Sequence, residues 1–248
     1  ASRMVSGLPP SDAKGTMLGA IYAARALRSN MQGETRLAVE YARQSLDALP
    51  VSNDISCSLR SVATSVLGDA CRLEGNLAEA RSTYSDAVRI SQGEGNCHMT
   101  IIANCNLADI LLEEGQLQQA GKIYSEMALL ARLPDGQISP LIDRVYAGLS
   151  RVSYEANRLD EAQTYARQCI EASRRCGNSE SLALGLVLAA WVEHAQNDPE
   201  KALEFGRAAE QLVTQAPLAA WRAVSIRAAV ARLWIARGDL ERASDLLE

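Results

Sequence analysis

Lysine occurs three times in this chain of 248 residues, at Lys14, Lys122 and Lys201, histidine twice and phenylalanine once. Aromatic residues make up only 4% of it, and runs of β-branched residues are few, which leaves little material for a sheet. With His98 and His194 the only histidines, a metal site would be short of ligands, and the six cysteines, Cys57, Cys71, Cys97, Cys105, Cys169 and Cys176, include no C-x-x-C pair. Four of them fall inside predicted helices, where a small apolar side chain suits the interior. The expectation is therefore reduced thiols in a cytoplasmic protein rather than a disulfide or zinc framework. The longest apolar run, Leu182 to Val192, is about half of what a membrane span needs, so no membrane partner is expected.

Charge and motifs exclude further classes. A formal net charge of −5 and a pI near 5.3 supply no basic field for a phosphate backbone, so this chain itself is not expected to hold nucleic acid. There is no G-x-x-x-x-G-K-[ST] loop and no Ser/His/Asp or Cys/His set at a credible spacing. Neither a cofactor nor catalysis is expected.

What the chain does have is Ala, Leu, Glu and Arg in quantity, a helix-former's composition, and a phrase that returns at regular intervals. The phrase is clearest in Glu74-Gly75-Asn76-Leu77-Ala78-Glu79-Ala80 and recurs around Gly115, Asn157 and Gly238, with looser copies at Gln32-Gly33 and Asn197-Asp198-Pro199. The Gly or Asn reaches positive φ and lets one helix stop and the next begin antiparallel; the Ala five residues later lets the two helices approach. That Ala stands at 38, 80, 120, 162, 202 and 243, so the repeat spacings are 42, 40, 42, 40 and 41 residues. A fixed period of this length is the mark of a helical-repeat protein.

Residues 1–10 carry no periodicity and read as a linker or an expression remnant; Ser11-Asp12 caps a first helix. Pairs of apolar stripes at helical spacing follow on either side of each turn. The longest interruption is Leu133-Pro134-Asp135-Gly136, after which Ser139 is the expected cap and Pro140 the first helical residue. The fold expected is an all-α, right-handed superhelix of about six helical hairpins over residues 11–248, the last incomplete. With no initiator Met and Glu248 inside a helix, the chain is expected to be part of a longer protein.

Within each unit a small residue, a turn Gly, an Ala and a Tyr succeed one another, as in Gly68, Gly75, Ala80, Tyr84 and Ala108, Gly115, Ala120, Tyr124. This order resembles the tetratricopeptide repeat, though the period near 41 exceeds its 34. Long repeats of this kind, with segments such as Leu149 to Ala162, Ile170 to Asn178 and Ala202 to Phe205, resemble the superhelical sensor domain of the large MalT-like regulators of the LuxR family. The resemblance implies an inducer-binding module that relays its occupancy to an ATPase module and a helix-turn-helix lying outside this sequence, with self-association of the whole protein as the output.

In such hairpin arrays the first helix of each pair lines the concave face, and helical spacing picks out its outward row. Eleven residues before each marker Ala stand Leu27, Asp69, Asp109, Arg151, Trp191 and Arg232; one turn on come Asn30, Arg72, Leu112, Tyr154, His194 and Ile235. Arg144 lies further back on the same face. The expected ligand-binding residues are thus Arg144, Arg151, Tyr154, Trp191, His194, Arg232, Asp69 and Asp109. The ring faces and guanidiniums suit an anionic or polyhydroxylated small molecule. A solvated, charge-mixed face is the plain alternative, and a scaffold holding a protein or peptide along the groove is the rival function. Trp191 and Arg151 read as surface positions whose truncation to Ala leaves stability nearly unchanged; Tyr84 and Tyr124 read as core.

Overall fold

A computed structural model describes residues 12–50, 54–92, 97–132, 137–216, 218 and 220–247. The proposed linker at 1–10, Ser11 and the loop at 133–136 lie outside the described residues. Twelve α-helices fill most of the rest, and no strand occurs among the described residues, only an isolated bridge between Arg132 and Ile138. They are α1 (Asp12–Met31), α2 (Thr35–Ala48), α3 (Asp54–Leu73), α4 (Leu77–Gln92), α5 (Cys97–Glu113) and α6 (Leu117–Leu130). The second half holds α7 (Ile142–Glu155), α8 (Leu159–Cys176), α9 (Ser179–Ala195), α10 (Pro199–Gln215), α11 (Ala220–Ala236) and α12 (Leu240–Leu247). The chain separates into two compact units, Ala1–Gln116 and Leu117–Glu248.

All six turns are built alike. Gly33, Gly75, Gly115, Asn157, Asn197 and Gly238 take φ between 56° and 82°, each five residues before its marker Ala. The left-handed residue turns the next amide back onto the finished helix: Asn76 N–H donates to Cys71 O at 2.9 Å, and Arg158 N–H to Ser153 O at 2.8 Å. These bonds satisfy carbonyls that a helix end leaves orphaned. The turn residue's own carbonyl neighbour then starts the next helix, as when Ala80 N–H donates to Asn76 O at 3.0 Å. At Asn197 the turn is reinforced by Asp198, which caps α10 through Lys201 N–H ahead of Pro199.

One boundary differs from expectation. Helix α7 begins at Ile142, two residues after Pro140, because Ser139 closes a separate turn first: its hydroxyl oxygen accepts Leu141 N–H at 3.3 Å and its carbonyl accepts Ile142 N–H at 3.0 Å.

Close approach of paired helices depends on small side chains. The marker alanines at 38, 80, 120, 162 and 202 are wholly buried. In the first unit Tyr84, itself buried, lies on Gly68, where a β-carbon would stand 2.6 Å from its ring. In the second, Tyr124 fills the space over Gly148 in the same way. Both tyrosines are core, as expected. Ser150, at the repeat position that Gly68 holds in its own hairpin, donates to the carbonyl of marker Ala162 at 2.9 Å. The second unit's main core runs through Leu186, Leu188, Ile226, Val230, Leu233 and Trp234. Trp234 is buried against Gly206 and covered by the Arg242 guanidinium, while the side chain of Trp221 lies outside the described residues.

Candidate functional site

Three of the sequence-derived residues meet in the second unit. Tyr154 projects from the end of α7, Trp191 from one turn before the end of α9 and Arg232 from one turn before the end of α11, each from the first helix of its hairpin. The Tyr154 and Trp191 ring centroids are 5.9 Å apart at 40°, and the Arg232 guanidinium carbon lies 4.9 Å from the Trp191 ring centroid. Trp191 is held from a third direction, its indole N–H donating to Ala229 O at 3.2 Å. The result is a chain of contacts, phenol to indole to guanidinium, crossing three successive hairpins. An aromatic pair in tilted geometry adds about 0.5–1.5 kcal/mol beyond burial and a cation over an indole about 0.5–2 kcal/mol, so these contacts hold the Trp191 ring in place.

Arg151 stands at the same repeat position as Trp191 and Arg232 and is half-buried. Among the described residues it has neither a carboxylate nor a carbonyl partner. Arg144, two turns earlier on α7, and His194, one turn after Trp191 on α9, are also half-buried. The expectation that truncating Trp191 leaves stability nearly unchanged is corrected: its ring packs on the main core of the unit, so its truncation carries a stability cost.

Asp69 and Asp109 lie in the first unit and are engaged otherwise. The Asp69 carboxylate accepts from Asn30 Nδ2 at 2.7 Å and from the Tyr84 hydroxyl, bridging the first hairpin to the second. Asp109 sits beside Arg72, which also pairs with Glu113. Burial works against the charge on Arg72, but the two carboxylates outweigh it and raise its pKa.

Two features escaped the sequence. An open cleft of about 490 Å³ runs between α6 and the α7–α8 turn, lined by Gly121, Leu149, Val152 and Tyr165 among others, and none of the expected site residues lines it. Its signal was Gly121: at the position after the marker Ala, the other hairpins carry Val39, Arg81, Gln163, Leu203 and Ser244. The other is a pair of buried carboxylates. Asp143 is fully buried, with Asn178 Nδ2 donating at 2.8 Å and Arg144 N–H at 2.6 Å, and burial pushes its pKa up despite those bonds. Glu193 is buried against the Gln163 amide, with Arg167 at 3.9 Å.

The family model of the MalT-like TPR region matches residues 19–248. The chain belongs to that family. Segments of it are 28% identical to the HTH-type transcriptional regulator MalT of Serratia proteamaculans (strain 568) over 136 residues, which is 55% of this chain and 15% of that protein. The same regulator of Yersinia pestis (strain Pestoides F) is 28% identical over 153 residues, 62% of this chain and 16% of the relative. The fold is shared with the Rap conjugation gene regulator of the plasmid pLS20, solved in complex with the Phr* peptide. That match has a TM-score of 0.74 at 19% identity over 99% of this chain and 64% of that one. Membership in the MalT-like TPR family thus agrees with the hairpin period and the turn chemistry. No helix among the described residues is long and apolar enough to cross a membrane, and no group of three or more His, Cys, Asp and Glu among them could hold a metal ion.

Proposed function

We propose that this array is the signal-binding module of a MalT-like transcription regulator, and that its ligand is received on the face of the second unit where Tyr154, Trp191 and Arg232 meet. One observation carries the reading. Trp191 occupies an outward repeat position, yet it is fixed by Tyr154, by Arg232 and by its bond to Ala229. A large flat ring held rigid and only half-buried is the kind of surface small-molecule sites are made of. Family membership supplies the regulatory context, since the curated relatives are transcription regulators. Occupancy of this face is relayed to ATPase and DNA-binding parts of the parent protein, and nucleic acid is bound there rather than by the array.

A second reading draws on one comparison: the pLS20 Rap regulator, similar in fold, is complexed with a peptide, and in that reading the occupant of this face is a peptide or protein segment rather than a small molecule. The test is made in the parent regulator with a transcription reporter. Arg151→Gln and Trp191→Ala are expected to remove the response to inducer while the protein still accumulates. A full response in both variants would place the sensing site elsewhere.

A further inference from the structure

All but one of the helix-interior glycines among the described residues lie against a neighbour that leaves no room for a side chain. A β-carbon would stand 2.2 Å from the Tyr124 ring at Gly148, 2.6 Å from the Tyr84 ring at Gly68 and 3.0 Å from Cys169 Sγ at Gly185. At Gly121 it would meet only Val152 Cγ1, at 3.2 Å, and the φ of Gly121 is not positive. Neither packing nor a turn demands this glycine, and glycine is a poor helix former. What its missing side chain supplies is space in the wall of the open cleft beside α6. We propose that this cleft is a ligand site separate from the Tyr154–Trp191 face, taking a small uncharged molecule with a flat apolar body and one polar group that hydrogen-bonds to Ser153.

Three stripes at helical spacing bound the cleft: Gly121 and Ser125 on α6, Leu149, Val152 and Ser153 on α7, and Glu161 and Tyr165 on α8. Leu149 and Val152 are buried and form an apolar floor. The Tyr165 ring is set as a wall by stacking on Tyr146, with centroids 6.2 Å apart and planes at 23°. Helical spacing puts this stripe of α7 on the side opposite Arg151 and Tyr154, so the two sites share a helix but no side chain.

The polar groups select the ligand. Ser153 is 1% exposed, and its hydroxyl has no hydrogen-bond partner among the described residues. The other buried serines of this unit, Ser139, Ser150, Ser173 and Ser181, are each hydrogen-bonded, and Ser125 in the cleft wall returns its hydroxyl to Gly121 O at 2.8 Å. A buried hydroxyl left without a partner is costly, and a donor or acceptor on a ligand in the cleft supplies one. Arg158 and Glu161, the charged residues at the cleft, pair with each other at 2.6 Å, so no charge is left over for an ion. The other polar residue, Gln118, is exposed at the rim. One buried hydroxyl on an apolar floor would leave most polar groups of a polyol or an extended peptide unmet. The α6 wall from Leu117 to Ser125 is about 12 Å of helix, and a cleft of about 490 Å³ is the size of a small-molecule site.

Two-dimensional amide NMR with 2-naphthol and with 2-naphthoate, which share the ring system and differ in charge, tests this. 2-Naphthol is expected to bind with a dissociation constant below about 1 mM and to move the amide signals of Gly121, Val152 and Ser153, and 2-naphthoate to bind at least about tenfold more weakly. Gly121→Leu, which puts at this position the residue type that hairpin five carries at Leu203, is expected to abolish binding. Ser153→Ala is expected to weaken it about threefold to tenfold with no loss of melting temperature, since the hydroxyl has no protein partner to lose. Circular dichroism checks that Gly121→Leu is folded, and Ser153→Ala carries the test if it is not. No binding of 2-naphthol at about 1 mM overturns the proposal and leaves the cleft to a docked protein segment. Unchanged affinity in either folded variant, or tighter binding of 2-naphthoate, also overturns it. Shifts gathered around Trp191 instead of Gly121 overturn it while leaving the signal-face reading in place.

Discussion

Replacing Gly148 with Ala sets two known magnitudes against each other. In a helix interior Ala is favoured over Gly by about 1 kcal/mol, so helix propensity alone makes the change stabilising. A β-carbon on Gly148, however, would lie 2.2 Å from both Cε1 and Cζ of Tyr124, and that ring is 1% exposed. Overpacking of a filled core costs about 1–3 kcal/mol, and an overlap this deep belongs at the upper end. The expected outcome is a net loss of about 2 kcal/mol, or a melting point lower by about 4–8 °C for a protein of this size. Gly121→Ala is the internal control, since its β-carbon would meet only Val152 Cγ1, at 3.2 Å. There propensity wins, and the variant is expected to gain up to about 1 kcal/mol. Tyr124→Leu combined with Gly148→Ala should recover part of the loss, because residues in contact do not act additively. Thermal and urea unfolding followed by far-ultraviolet circular dichroism reads all four proteins. If Gly148→Ala melts at or above the wild type, the argument that small residues set the spacing of these helices fails.

Removing the Asp69 carboxylate with Asp69→Ala leaves the Asn30 amide and the Tyr84 hydroxyl without their acceptor, at a cost of about 1–3 kcal/mol in the same unfolding assay; a stability-neutral variant would return Asp69 to the list of ligand-facing residues. Burial pushes the Cys169 thiol up to about 12 from 9.0, so the native thiol is expected to resist a maleimide at neutral pH while exposed Cys176 is labelled, as read by peptide mass spectrometry. The sign of the linkage follows: the folded chain keeps this proton longer than the unfolded chain, so stability falls as pH rises from 9.0 toward about 12, and Cys169→Ala removes that part of the alkaline slope.

The periodic parts of this molecule were legible in the sequence because they depend on local chemistry. A residue able to reach positive φ, placed five positions before an Ala that must be small, defines each turn and each helix contact without reference to the rest of the chain. Asn157 and Asn197 were readable on the same ground, asparagine being the residue that most readily replaces Gly in the left-handed region. The start of α7 was not, since Ser139 and Pro140 satisfy the rules for a cap and also for the preceding turn, and their placement depends on the return of Ser139 N–H to Ala131 O at 2.8 Å. The contact of Trp191 with Arg232 followed from the repeat register, since equal positions in successive hairpins are neighbours, whereas Tyr154, one turn further on in its own hairpin, reaches Trp191 diagonally. Register alone could not show that Asp69, on the same row, is occupied by Asn30 and Tyr84, because those partners reach it from different helices. Nor does it reveal Glu193, whose burial depends on Gln163 from the preceding hairpin.

The central claim is that the Tyr154–Trp191–Arg232 face receives the signal, and ligand-detected thermal shift tests it most directly. A library of metabolites and short peptides is melted against the wild type, Arg151→Gln and Trp191→Ala. A true ligand at about 100 times its dissociation constant stabilises the folded state by about 2.7 kcal/mol. The account predicts at least one such shift in the wild type and its loss in both variants, with the ligand-free melting point unchanged in Arg151→Gln and lowered in Trp191→Ala. A ligand whose shift survives at full size in both variants would contradict it.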